Sequence, residues 1–107
     1  MAGRLARHLV VISLDGLSTA DFETVRALPH FASLILSGSL CRRLRGVYPT
    51  QTYTLHASLI TGTWPRRHGI LANTLFQPGR ERPDWFWYRR AIRVPTLYDQ
   101  AVQAGLS

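Results

Sequence analysis

The chain has 107 residues, of which 46% are hydrophobic, enough to build a folded core and too many for a disordered segment. Its formal charge is +7, carried by thirteen arginines without a single lysine. The arginines fall in scattered pairs (Arg42-Arg43, Arg66-Arg67, Arg89-Arg90) rather than in one stripe, so nucleic acid is not the expected partner.

Residues 1–7 are basic, but the apolar run behind them is short and reaches Asp15. It offers no small-residue cleavage site and falls well below the roughly 20 residues of a membrane span. No membrane partner and a cytoplasmic location are therefore expected. Leu9-Val10-Val11-Ile12 is apolar on both faces and β-branched, the pattern of a parallel strand covered on both sides. Asp15-Gly16 reads as the turn that ends it. Asp21 and Glu23 suit the first turn of a short helix. Pro29 opens a second helix with Phe31, Leu34 and Ile35 on one stripe, and Gly38 closes it. Leu40 to Leu44 reads as a second strand. Cys41 is the only cysteine, which excludes an internal disulfide and leaves a strand or core thiol.

Pro49 holds Tyr48 extended. From Thr52 the pattern turns helical, with Leu55 and Leu59 on one face and Gly62 as the cap. Trp64 to Arg67 reads as a turn. Residues 73–93, rich in aromatics and arginine and broken by Pro78-Gly79 and Pro83, read as short strands or an irregular insert. Pro95 and Thr96 start a last helix with Leu97, Ala101 and Ala104 on one side, before Gly105. The alternation predicts an α/β sheet with helices on both faces, within one domain over residues 1–107. A further strand is expected to begin at Leu106-Ser107. Two parallel strands alone make an incomplete sheet.

Two residues carry chemistry. Asp15 lies at the carboxyl end of the first expected strand, where open α/β sheets hold their ligands, although Asp-Gly by itself is only a turn. Thr52 reads as a helix N-cap, a structural role that is compatible with a second one. A hydroxyl there sits beside free backbone N–H groups and in a positive field, a setting that suits a phosphate. A threonine hydroxyl needs a base or a metal to act as a nucleophile, and no Ser-His-Asp arrangement is legible. A divalent metal bound by Asp15 and the Thr52 oxygen would activate it, and zinc suits such donors. His56 and His68 read as structural.

Taken in order, Leu14-Asp15-Gly16, Tyr48-Pro49-Thr50-Gln51-Thr52-Tyr53, His68-Gly69-Ile70 and Asn73 resemble the start of the alkaline phosphatase superfamily, specifically its type I phosphodiesterase/nucleotide pyrophosphatase group. The resemblance is good over roughly residues 8 to 73 and extends weakly through Val94-Pro95 and the last helix. It implies the N-terminal part of an alkaline-phosphatase-like sheet, incomplete in this chain, and hydrolysis of phosphoric diesters in a longer parent. It further implies two divalent metal ions, zinc by type, with Asp15 and Thr52 as ligands of one. Thr52 would be the nucleophile, Asn73 would hold a phosphoryl oxygen, and Tyr53 would stack on the leaving group of a nucleotide-like substrate. Thr54 and Leu55 depart from the Pro and Asn or Ser usual in the group. The group's remaining metal ligands have no counterpart in these 107 residues.

Other superfamily members that use threonine, the phosphonate hydrolases and phosphoethanolamine transferases, fit the same motifs. Outside catalysis, Trp85 to Tyr88 beside Arg89-Arg90 could stack bases in a basic binding module. Made alone, the chain is expected to be inactive and to self-associate through its apolar strand.

Overall fold

Local signals set where the helices begin and end. The computed structural model describes residues 6–107, so the first part of the basic N-terminal stretch lies outside the described residues. It resolves into two units: residues 12–45, and residues 46–107 together with the segment up to Val11.

In the unit spanning 12–45, Asp15-Gly16 forms the expected turn, with Gly16 at φ 76°, a conformation that favours glycine. Ser18 and Asp21 make a reciprocal cap: the Ala20 N–H donates to the Ser18 hydroxyl, and the Ser18 N–H donates to the Asp21 carboxylate at 2.8 Å. These hydrogen bonds, led by the Ser18 backbone N–H, hold the Asp21 carboxyl below its usual range. A single 3-10 turn, Thr19–Asp21, leads into helix α1 (Phe22–Arg26). Helix α2 (Pro29–Ser37) then starts on its proline and packs on α1. Arg42 lies over the Phe22 ring at 5.1 Å, and Glu23 pairs with Arg26 and Arg42. All three charged side chains are exposed, so these pairs add little stability. No residue of this unit is buried.

The unit containing 46–107 is built on helix α3 (Thr52–Thr61), the single-turn helix α4 (Pro65–His68) and helix α5 (Leu97–Gln103). Gly62 caps α3 at φ 62° and its N–H donates to the Ser58 carbonyl, as the sequence predicts. The Trp64 to Arg67 segment is not a simple turn, because Pro65 at its first position starts the short helix α4. Thr96 caps α5 through a capping box with Asp99. The helix ends in paired bonds, Gly105 N–H to the Val102 carbonyl and Leu106 N–H to the Ala101 carbonyl, which divert the chain sharply.

Both α4 and α5 contact α3. The buried set of this unit is Thr54, Ala57, Pro65, His68, Ile70 and Thr96. This overturns the expected packing of α3: Leu59 is exposed, and the buried face carries Thr54 and Ala57 instead. Both are small side chains, so the leucine spacing could not reveal which face is covered.

The expected strands 9–12 and 40–44 do not form among the described residues. A doubly covered strand needs neighbours on both edges and both faces, whereas Val10 and Ile12 here are 78% and 76% exposed. Cys41 is likewise exposed rather than a core thiol. One trace of parallel pairing exists at the expected place. The Leu9 N–H donates to the Ser107 carbonyl at 3.0 Å and the Ser107 N–H to the Arg7 carbonyl at 3.2 Å. These bonds straddle His8 in the manner of a parallel ladder. The insert forms a hairpin-like loop with one antiparallel bridge, Thr74 to Trp85. The loop is tied internally, since Gln77 accepts from the Asp84 N–H at 2.8 Å and donates to the Asp84 carboxylate at 3.0 Å.

Candidate active site

The start of α3 brings three of the four predicted site residues together. Pro49, joined to Tyr48 by a cis peptide bond, precedes Thr50 and Gln51. Gln51 is the N-cap, with extended φ −114° and ψ 148°. Thr52 is therefore the first helical residue rather than the cap. Its hydroxyl stays at the end of the helix, where backbone N–H groups lack intrahelical acceptors.

Asn73 reaches this end from the loop after α4. The Tyr53 N–H donates to Asn73 Oδ1 at 3.0 Å, replacing the cap that Gln51 does not provide. A backbone N–H can only donate, so the Asn73 oxygen faces the helix and its amide nitrogen lies at the opposite corner. The Asn73 N–H donates to Gln51 Oε1 at 2.8 Å, and the Asn73 carbonyl accepts from the Phe86 N–H at 3.3 Å. Residues 51–53 and 73 are thus clasped together.

Tyr53 meets two tryptophans edge-on, with ring centroids 5.5 Å from Trp85 and 6.3 Å from Trp87. The sequence singled out Trp85 and Trp87 but not their association with Tyr53. The two-residue spacing of the tryptophans is the signal that both lie on one side of an extended segment.

Behind this end, His68 is wholly buried. Its Nδ1 accepts from the Ile70 N–H at 3.1 Å, so the ring proton is on Nε2 and is donated to Ser58 Oγ at 2.9 Å. Burial pushes its pKa down, and the neutral ring ties α3 to α4. Gly69, at φ 84°, leaves room for Arg93, which a side chain at that position would strike within 2.7 Å. His56 Nδ1 lies 2.8 Å from the Thr52 carbonyl, within α3. His68 has the structural setting expected of it, and His56 is half-buried on α3.

Asp15 lies in the other unit, exposed in its turn. Among the described residues no three His, Cys, Asp or Glu side chains come together to hold a metal ion. The residues present therefore do not make a metal centre by themselves. Asp15 and Thr52 are donors of a suitable type and no more. Also among the described residues, no helix is long and apolar enough to cross a membrane.

The family model for type I phosphodiesterase/nucleotide pyrophosphatase matches residues 9–107. This chain belongs to that family. It is similar to the bovine (Bos taurus) bis(5'-adenosyl)-triphosphatase ENPP4, 29% identical over 93 residues, which cover 80% of this chain and 20% of the relative. It is also 30% identical over 106 residues to ectonucleotide pyrophosphatase/phosphodiesterase family member 1 of Rattus norvegicus, covering 90% of this chain and 12% of that one. A venom phosphodiesterase of Macrovipera lebetinus is 35% identical over 69 residues, 64% of this chain and 8% of its own. The chain thus spans a fifth or less of the length of these relatives. No solved structure matches it.

Proposed function

We propose that this chain is the nucleophile-bearing part of an enzyme that hydrolyses phosphoric diesters or nucleotide pyrophosphate bonds. The observation that carries the reading is the clasp of Asn73 on the start of α3, which gathers Thr52, Tyr53 and Asn73 within a family named for this chemistry. The Thr52 hydroxyl releases its proton to solvent as its oxygen attacks phosphorus, forming a phosphothreonine ester and expelling the leaving group, whose oxygen takes up a proton from water. Water then cleaves that ester and restores the hydroxyl. The Asn73 amide nitrogen and the unpaired N–H groups at the start of α3 donate to the phosphoryl oxygens as negative charge develops. Tyr53, braced by Trp85 and Trp87, offers a flat face to the leaving group, which suits a nucleotide-like substrate.

Asp15 would give one carboxylate to a divalent-metal site, zinc by donor type, with Thr52 as a second donor and the rest from outside these residues. A cytoplasmic location belongs to the same reading. Phosphonate hydrolysis or phosphoethanolamine transfer would use the same threonine, and the aromatic clasp beside the helix favours a flat leaving group over either.

The test is Thr52→Ala in the whole enzyme, assayed on bis-nitrophenyl phosphate and on a dinucleotide. Turnover should fall by at least about a thousandfold with an unchanged melting temperature. Near-normal turnover would remove Thr52 from its role.

A further inference from the structure

We infer that Gln51 is a positioning residue for Asn73; the inference rests on the reading of Thr52 and Asn73 just given and extends it to a residue that has no assigned role. Gln51 occupies the N-cap position of α3, where a short polar side chain would ordinarily accept from the first turn. Its side chain makes no such bond. Instead Gln51 Oε1 reaches 22 residues along the chain to accept from the Asn73 N–H at 2.8 Å. Asn73 Oδ1 returns the bond to the Tyr53 N–H at 3.0 Å. Each segment thus holds the other's backbone with a carboxamide, and the two bonds cross.

The crossing matters because either bond alone leaves a hinge. With only the Tyr53 bond, the Asn73 side chain is anchored but its backbone swings about χ1 and χ2. With only the Gln51 bond, the backbone is fixed while the carboxamide rotates. Together with the Phe86 N–H on the Asn73 carbonyl, the pair fixes both the position of residue 73 and the direction of its amide nitrogen. A donor meant for a phosphoryl oxygen needs that precision, since an ångström of drift costs much of its effect. Gln51 also passes its own carbonyl to the Leu55 N–H at 2.9 Å, so the residue that starts the nucleophile's helix is also the one that registers Asn73 against it. Gln51 is exposed and its bond lies at the surface, so its loss should move geometry more than stability.

The experiment is a double-mutant cycle in the whole enzyme, with Gln51→Met, Asn73→Ala and the pair, reading kcat, KM and melting temperature on bis-nitrophenyl phosphate. Methionine keeps the length of glutamine and removes the acceptor. Gln51→Met should lower kcat about tenfold, with KM within about twofold of wild type and melting unchanged. In the Asn73→Ala background the same change should have no further effect, because the group it positions is gone. A wild-type kcat in Gln51→Met beside a slow Asn73→Ala overturns the inference and leaves the site reading standing. The same tenfold loss in both backgrounds also overturns it, since Gln51 would then act independently of Asn73. Wild-type turnover in Asn73→Ala itself removes the placement of Asn73 in the site and this inference with it.

Discussion

The two units of this chain solve the problem of burial differently. The unit containing 46–107 gathers a seam of Thr54, Ala57, Pro65, His68, Ile70 and Thr96, tied by a histidine bonded on both ring nitrogens. The unit spanning 12–45 buries nothing and is held by a cap, two short helices and exposed ion pairs. Of the two proposed chemical groups, Asp15 sits in an exposed turn, and only Thr52, at the start of α3, rests on a packed support. In the proposed reading a metal donor at position 15 would be held by its ion, whereas a nucleophile would have to be aimed by its own scaffold.

The largest expected effect follows from the unburied side of this comparison. Expressed alone, the 107-residue chain should self-associate, because Ile12, Leu34, Leu36 and Leu44 of the unit spanning 12–45 present apolar surface without cover. Size-exclusion chromatography with light scattering should find oligomers or aggregate, weak zinc binding and no cleavage of bis-nitrophenyl phosphate. A monodisperse monomer with zinc-dependent turnover would end the view that the site is incomplete here.

Next comes Asp15→Asn in the whole enzyme. An amide is a poorer ligand than a carboxylate, so bound zinc and turnover should fall together, each at least about tenfold. Melting of the metal-free protein should hardly change, since Asp15 is exposed. Unaltered zinc content by elemental analysis would reduce Asp15-Gly16 to its turn.

Substitution of His68 probes the packed side. His68→Leu leaves the Ile70 N–H and the Ser58 hydroxyl without the partner each now has, and should cost about 3 kcal/mol. His30→Leu on exposed α2 should stay within about 0.5 kcal/mol. The sign of the pH effect follows from burial, which lowers the folded pKa of His68 below 6.5. The unfolded chain then binds the proton more readily, so the stability that the neutral ring contributes is complete above pH 6.5 and declines as pH falls below it toward the folded value. Denaturant midpoints between pH 7.5 and 5 should fall in wild type and flatten in His68→Leu. Equal costs for the two histidines would dissolve the contrast between the units.

What could be read from the chain divides along the same line. Pro29, Thr96, Gly62 and the Asp15-Gly16 turn act on their immediate neighbours, and each is found where the pattern puts it. The gathering of Thr52, Tyr53 and Asn73 is implied by the family resemblance, not by any pattern in the residues themselves. Strands at 9–12 and 40–44 depend on partners that hydrophobic patterning cannot supply, and among the described residues the trace of parallel pairing is the one about His8 and Ser107. The clasp of Gln51 on Asn73, the hairpin tied by Gln77 and Asp84, and the tryptophans at Tyr53 join residues distant in sequence. The polar contacts among these leave no periodicity to detect, and the spacing of the tryptophans marks their shared side but not their partner.

The smallest effect concerns Thr54, on the packed face of α3, the helix that begins at Thr52. Thr54 is 0% exposed, and its hydroxyl has no hydrogen-bond partner among the described residues. A buried hydroxyl without a partner forfeits its hydration for nothing in return. Thr54→Val keeps the shape of the side chain and removes that penalty, so it should stabilise the whole enzyme by about 1 kcal/mol. Thr52 and Tyr53 keep their backbone positions in this variant, so kcat should stay within about twofold of wild type. A higher denaturant midpoint with unchanged slope would mark the surroundings of Thr54 as apolar, in contrast to the satisfied polar groups of His68 and Thr96 in the same seam. A loss of more than about 1 kcal/mol would mean that the Thr54 hydroxyl has a partner in the whole enzyme, and that the seam is completed by a polar group from outside these 107 residues.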